Sequence, residues 1–275
     1  MNEFPENPEA VPVALSEEMP KGELDSLSAT APPPLLDPPW NGWDVLRIVL
    51  MAVAALFVTL VVLLLAVPGP TFRARANTLN GLPELGIIGQ MAAYLVVLGY
   101  MYVLVTRERR CPRFWEAMQW NWPRATQWYL LGGFALQAVF LVIEWKLKRF
   151  IPKETPFDVL LRRPYSIVLI AIFSITQGPL MEELFFRGFL YPVLRRRFGV
   201  LAGVFVTALG FGLMHAAQYG YSWLSVSLIF IVGAVLAIVR ETKNSVAAGF
   251  LVHCGYNATI MMLLLIATDG FRHLE

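Results

Sequence analysis

Three segments of the sequence place ionisable or amide side chains inside otherwise apolar stretches. They are Glu182, Glu183 and Arg187 in the first segment, Phe211 and His215 in the second, and His253 and Asn257 in the third. An ionisable group at bilayer depth costs about 2.5–3.5 kcal/mol on insertion scales, so it persists only when it is paired, buried in protein or exposed to a water-filled cavity. Each group alone has a plain structural explanation. A carboxylate, two histidines and an amide on three segments are better explained by convergence on one polar cavity.

The spacing within each segment assigns roles to these side chains. Glu183 and Arg187 are four residues apart, so on a helix they share a face and are predicted to form an ion pair. Glu182 lies about 100° around the helix from Glu183 and is predicted to remain free. His253 and Asn257 also share a face and offer two hydrogen-bond donors. We expect Phe211, one turn before His215, to pack beneath its ring.

The chemistry that this set favours is hydrolysis by an activated water. A carboxylate and an imidazole that share one water form a general-base pair, here Glu182 and His215. A second imidazole and an amide are suited to hold an oxyanion. The HExxH and GxSxG signatures of other hydrolases are absent from the sequence. Two histidines and a glutamate also suffice for zinc, so Glu182, His215 and His253 are the alternative metal ligands.

The elements that must position these residues are predicted to be transmembrane helices. Hydrophobic residues make up 57% of the 275 residues and charged residues only 15%, against about 25% charged in soluble domains. The apolar residues fall in blocks of the length that a bilayer requires. We therefore predict an all-α polytopic membrane protein with about seven spans, whose fourth, fifth and seventh form the polar cavity. The predicted spans are 48–67, 85–106, 125–143, 165–194, 199–218, 222–239 and 245–268.

The chain divides into four predicted segments by composition. Residues 1–42 are acidic and rich in proline, and we interpret them as a disordered tail. Residues 43–163 hold the first transmembrane helices and loops, 164–269 the core with the polar groups, and 270–275 a C-terminal tail. The distribution of Lys and Arg favours a cytoplasmic N-terminus. We expect a bacterial inner membrane as the host, with an endoplasmic-reticulum-like membrane as the alternative. A net charge of +2 gives no indication of nucleic-acid binding.

The three polar segments resemble the three motifs of the CPBP intramembrane endopeptidases, which include the type II CAAX prenyl proteases and the bacteriocin-related Abi proteins. The resemblance covers 165–268. It implies that Glu182 and His215 activate the water, that His253 and Asn257 stabilise the oxyanion, and that Glu183 and Arg187 support the site. This family was formerly classed as metalloprotease and is now usually described as glutamic, so the resemblance implies no cofactor, with zinc as the alternative. The acidic tail is not part of the family pattern.

Three function classes remain after this reading of the sequence. The leading hypothesis is an intramembrane endopeptidase that cuts a membrane-associated substrate, either prenylated or bacteriocin-like, with the lipid bilayer and that peptide as its partners. The alternative is a non-catalytic immunity or binding protein that uses the same cavity. A proton-coupled transporter is disfavoured because the chain shows no paired broken helices in two similar halves.

Overall fold

The computed structural model describes residues 38–152, 154–161 and 164–267, and these residues form helices and connecting turns without a strand. Residues 1–37 of the predicted N-terminal tail and all of the predicted C-terminal tail, 270–275, lie outside the described residues. The α-helices are α1 (Gly42–Ala66), α2 (Phe72–Asn80), α3 (Pro83–Val103), α4 (Phe114–Ala117), α5 (Thr126–Leu147), α6 (Pro156–Leu161), α7 (Pro164–Ile175), α8 (Gln177–Glu183), α9 (Tyr191–Met214), α10 (Trp223–Lys243) and α11 (Val246–Ala267).

The all-α polytopic architecture predicted from composition is confirmed, with one difference in the number of spans. Six helical runs within the described residues are long and apolar enough to cross a membrane. The predicted fourth and fifth spans are joined in a single run of 50 residues, Tyr165–Met214. At about 1.5 Å per residue, a straight helix of that length would far exceed a bilayer. The run is interrupted at Gly199, whose φ of 84° and ψ of 174° are not helical.

Helices α10 and α11 are the most buried of the six apolar runs. Buried residues make up 50% of the most apolar stretch of α10 and 44% of that of α11, against 6% for α1. Helix α11 packs along α5 at two glycines. A Cβ built on Gly133 would lie 2.1 Å from the carbonyl oxygen of Val252, and one built on Gly255 would lie 2.2 Å from that of Leu130. The backbones therefore touch, as small residues allow in membrane bundles.

The predicted fourth span is not a regular helix. It breaks at Thr176 (φ −120°, ψ −82°), three residues before Pro179, which has no N–H to donate to the preceding turn. Beyond Glu183 the chain forms a π-helix, Leu184–Leu190, a distortion frequent at functional sites. Side chains from elsewhere in the chain donate hydrogen bonds to two backbone carbonyls of this π-helix. Arg240 Nε donates to the carbonyl oxygen of Arg187 at 3.2 Å, and Trp40 Nε1 donates to that of Phe189 at 3.2 Å.

Candidate active site

A cavity of about 370 Å³ opens where α3, α7, α8, α9, α10 and α11 meet. Four predicted site residues, one from α8, one that follows α9 and two from α11, line it: Glu182, His215, His253 and Asn257. Much of the remaining wall is apolar, with Ile87, Phe173, Ile260 and Met261 among the lining residues. The short helix α6 contributes Phe157, whose backbone N–H donates to the carbonyl of Gln218 at 3.3 Å. The four predicted site residues, which are up to 75 positions apart in the sequence, thus share one cavity whose other walls are largely apolar.

The Glu182 carboxylate lies between the two histidine rings. Its Oε2 is 3.9 Å from His215 Nε2 and 3.8 Å from His253 Nε2. Both distances exceed that of a hydrogen bond. The oxygen is buried and has no hydrogen-bond partner among the described residues. A buried carboxylate oxygen without a partner costs free energy, and separations near 4 Å suit groups bridged by a water or by a substrate atom.

The orientation of the His215 ring follows from its second nitrogen. Nδ1 lies 2.8 Å from the carbonyl oxygen of Phe211, which only accepts hydrogen bonds. Nδ1 is therefore the donor, and in the neutral ring Nε2 is an acceptor that faces Glu182. His215 directly follows the last residue of α9, so this bond also satisfies a carbonyl in the final turn of that helix.

Glu183 and Arg187 form the ion pair that their spacing predicts. Arg187 Nη1 donates to Glu183 Oε1 at 2.9 Å, and Nη2 donates to the carbonyl of Gly233 at 2.9 Å. Both side chains are fully buried. Breaking such a pair typically costs about 3–5 kcal/mol because one charge is left uncompensated. Gly249 permits the arrangement, since a Cβ there would lie 2.7 Å from Glu183 Oε2.

His253 links this ion pair to the cavity. Its Nδ1 lies 3.2 Å from Glu183 Oε1, the oxygen that also accepts from Arg187. A ring that donates to Glu183 from Nδ1 can donate from Nε2 as well only as an imidazolium. Glu183 and Glu182 place a carboxylate beside each nitrogen of this ring. Glu183 therefore sets the direction in which His253 Nε2 points.

Asn257 and Phe211 complete the arrangement. Asn257 Nδ2 donates at 2.6 Å to the carbonyl of Ser174, in the last turn of α7. Its second amide hydrogen has no partner in the described part of the chain. The Phe211 ring lies 4.9 Å from the ring of His215 and 5.7 Å from that of His253. The Arg187 guanidinium lies 4.6 Å from the centroid of the Phe211 ring, so this one aromatic side chain lies beside the buried cation and both imidazoles.

A metal centre is the alternative use of these side chains. Within residues 38–152, 154–161 and 164–267, no group of three or more His, Cys, Asp and Glu side chains is clustered as a metal ion would require. Cys254 is free and buried in α11. The cysteine is not among the cavity-lining residues.

Residues 164–259 match the sequence profile of the Rce1-like family, described as type II CAAX prenyl endopeptidase. The chain carries an Rce1-like domain. The resemblance inferred from the three motifs is therefore confirmed, and the family implies a peptidase of the intramembrane CAAX type. With six apolar helical runs, the protein is an integral multi-pass membrane protein. No curated protein and no solved structure matches the chain significantly.

The Rce1-like domain does not contain the whole cavity. Helix α3 lies before residue 164 and contributes Ile87, Gln90 and Tyr94 to the lining. Helix α5 also precedes the domain, and its Gly133 sets the distance to α11. Sequence reasoning overlooked these residues because neither predicted span carries a charged motif. A tyrosine and a glutamine four residues apart on one apolar span were the available signal.

Proposed function

We propose that this protein is a glutamic intramembrane endopeptidase in which Glu182 and His215 activate a water molecule. The observation that supports the proposal most directly is the buried Oε2 of Glu182, which has no hydrogen-bond partner among the described residues and lies 3.8–3.9 Å from two imidazole nitrogens in the cavity. An unpaired carboxylate at this depth is costly for stability alone. It is explained when the oxygen holds a reactant.

The proposed reaction begins with a water that donates one hydrogen to Glu182 and one to His215 Nε2. The water oxygen attacks the scissile carbonyl carbon while one proton passes to Glu182. His253 and Asn257 donate to the resulting oxyanion. The carbonyl then reforms, the C–N bond breaks, and the leaving amine takes the proton from Glu182. A carboxyl terminus and an amine are released, and no protein–substrate bond forms.

We infer a membrane-associated peptide or protein as the substrate, prenylated or bacteriocin-like. The apolar part of the cavity wall supports this proposal, because Ile87, Phe173, Ile260 and Met261 offer a surface for a lipid chain or an apolar side chain. A bacterial inner membrane is the proposed setting. The distribution of Lys and Arg supports an orientation with the N-terminus in the cytoplasm.

We propose that the reaction needs no metal cofactor. Purified protein in lipid nanodiscs is expected to keep its full cleavage rate after incubation with EDTA and 1,10-phenanthroline, followed by removal of the chelators. The reason is that Glu182 and His215 supply both acceptors that the water needs. A rate that falls after chelation and returns on addition of Zn²⁺ would instead identify Glu182, His215 and His253 as zinc ligands.

The function is tested by comparing protein termini in membranes of cells that produce wild type or the Glu182→Gln variant at equal levels. New N- and C-termini present only with wild type are expected, and they identify the substrate and its cleavage position. Identical termini in the two samples would overturn the peptidase proposal. In that case, a phenotype that survives Glu182→Gln would favour the immunity or binding role of the same cavity.

A further inference from the structure

Helix α3 brings a phenol into the cavity opposite the motif residues. Tyr94 lines the same cavity as Glu182, His215 and Asn257. The residue lies 70 positions before the Rce1-like domain. No motif of the sequence includes it.

The Tyr94 side chain is held in one orientation. Gln90, one turn earlier on α3, donates from Nε2 to the Tyr94 hydroxyl oxygen at 3.4 Å. The ring packs against Phe173 of α7, with centroids 5.6 Å apart. The Gln90 bond occupies a lone pair of the phenol oxygen and leaves the hydroxyl hydrogen without an acceptor among the described residues. A tyrosine hydroxyl can donate and accept, so Tyr94 presents an uncommitted donor to the cavity.

Helix α3 is fixed relative to the motif helices at two further points. Gln177 Nε2, at the start of α8, donates to the carbonyl of Met91 at 2.9 Å. Ser166 Oγ of α7 donates to Glu84 Oε1 at 2.8 Å. Because both bonds lie on the N-terminal side of Tyr94, within about three turns of it, they hold this part of α3 against α7 and α8, the helix that carries Glu182. Such fixed placement of a donor is what electrostatic stabilisation of a transition state requires.

The hydrogen bonds that the water and the substrate carbonyl need indicate which of the two the phenol contacts. In the proposed reaction the water gives both hydrogens to Glu182 and His215 and needs its lone pair for the attack. A third group that donates to the water would weaken it as a nucleophile. The substrate carbonyl, in contrast, gains negative charge and has few donors, since Asn257 already gives one amide hydrogen to Ser174.

We propose that Tyr94 is a catalytic residue that donates its hydroxyl hydrogen to the scissile carbonyl oxygen and to the oxyanion that forms from it. This proposal rests on the proposed function and extends the oxyanion site to a helix outside the Rce1-like domain. The proton stays on the phenol oxygen throughout, so the balance of the reaction is unchanged. Gln90 acts as the positioning residue that orients the hydroxyl.

The test uses full-length protein in nanodiscs and an internally quenched peptide built on the cleavage sequence found in the membrane comparison. Tyr94→Phe is expected to lower kcat about 100-fold, in the range reported for loss of one oxyanion donor, and to leave KM within about twofold. Tyr102→Phe is the matched control, because Tyr102 lies on the same helix, is 52% exposed and does not line the cavity. Its kcat should equal that of wild type.

The outcomes separate this proposal from the function on which it rests. Normal kcat in Tyr94→Phe, with no cleavage by Glu182→Gln, would overturn the role of Tyr94 alone. Cleavage by Glu182→Gln at the wild-type rate would overturn the proposed function. If Tyr94→Phe instead raises KM about 100-fold and leaves kcat unchanged, Tyr94 belongs to substrate binding, and the oxyanion role is contradicted. If Tyr94→Phe does not accumulate, Gln90→Met should lower kcat in the same direction and by less, and a wild-type kcat there would overturn the proposal.

Discussion

Glu182→Gln is expected to lower the cleavage rate of the purified protein about 1,000-fold and to leave its thermal unfolding temperature within about 2 °C of wild type. General-base catalysis contributes about 10²–10⁴-fold, and an amide of the same shape cannot accept the proton from the water. The fold should tolerate the change, because Oε2 of Glu182 has no hydrogen-bond partner among the described residues. The measurement is turnover of the quenched peptide in nanodiscs, beside thermal unfolding of the same preparation.

The control for this prediction is Glu144→Gln. Glu144 is a partly buried carboxylate of α5 and is not among the cavity-lining residues. The substitution removes the same charge from a membrane helix and should leave the rate unchanged. A loss of the same size in both variants would mean that the effect is one of charge or folding. Such a result would contradict the assignment of Glu182 as the base.

Helix geometry explains why the adjacent acids Glu182 and Glu183 have different environments. On a helix, consecutive residues point about 100° apart. This rotation directs Glu183 toward Arg187 and Gly249 and leaves Glu182 in the cavity. The spacing of the motif predicted the ion pair from sequence. The link from Glu183 to His253 was not predictable, because it depends on how α11 packs beside α8 and not on the spacing within either helix.

The span count and the cavity wall show where sequence patterns fail. Charge-free stretches predict apolar helices well, since bilayer thickness sets their length. They do not indicate that the predicted fourth and fifth spans lie in one helical run, Tyr165–Met214, with breaks at Thr176 and Gly199, because the basic residues between the two spans suggested a loop. Nor do they indicate which helices line a cavity. Tyr94 lies in an apolar span without charge, and its position became evident only from the packing of α3 against α7.

The sequence also fails to predict the different environments of two neighbouring glycines. Gly132 and Gly133 are indistinguishable in sequence, yet their surroundings on α5 are opposite. A Cβ on Gly132 would meet nothing within 4 Å. One on Gly133 would lie 2.1 Å from the oxygen of Val252 and 2.6 Å from the nitrogen of Tyr256. Helical periodicity places one of the two toward the bundle, but only the crossing of α5 and α11 determines which one.

Substitution by alanine is therefore expected to change the free energy of unfolding in opposite directions at these two adjacent positions. Gly132→Ala should be neutral or stabilise the protein by up to about 1 kcal/mol, because alanine has the higher helix propensity and the site is open. Gly133→Ala should destabilise it by about 1–3 kcal/mol, the usual cost of overpacking. The contacting atoms are backbone, so the strain is relieved only by moving α11 away from α5. Thermal unfolding of both variants in nanodiscs provides the measurement.

The same displacement should reduce catalysis without a change in any motif residue. Val252 precedes His253 directly, and Asn257 follows one turn later, so movement of α11 shifts both proposed oxyanion donors relative to Glu182. A misplacement of about 1 Å commonly costs about 100-fold in rate, and we expect a loss of that order in kcat for Gly133→Ala. Gly132→Ala, the control, should keep the kcat of wild type. Equal unfolding temperatures and equal rates in the two variants would contradict the close helix contact and its role in positioning His253, since only that contact distinguishes the two glycines.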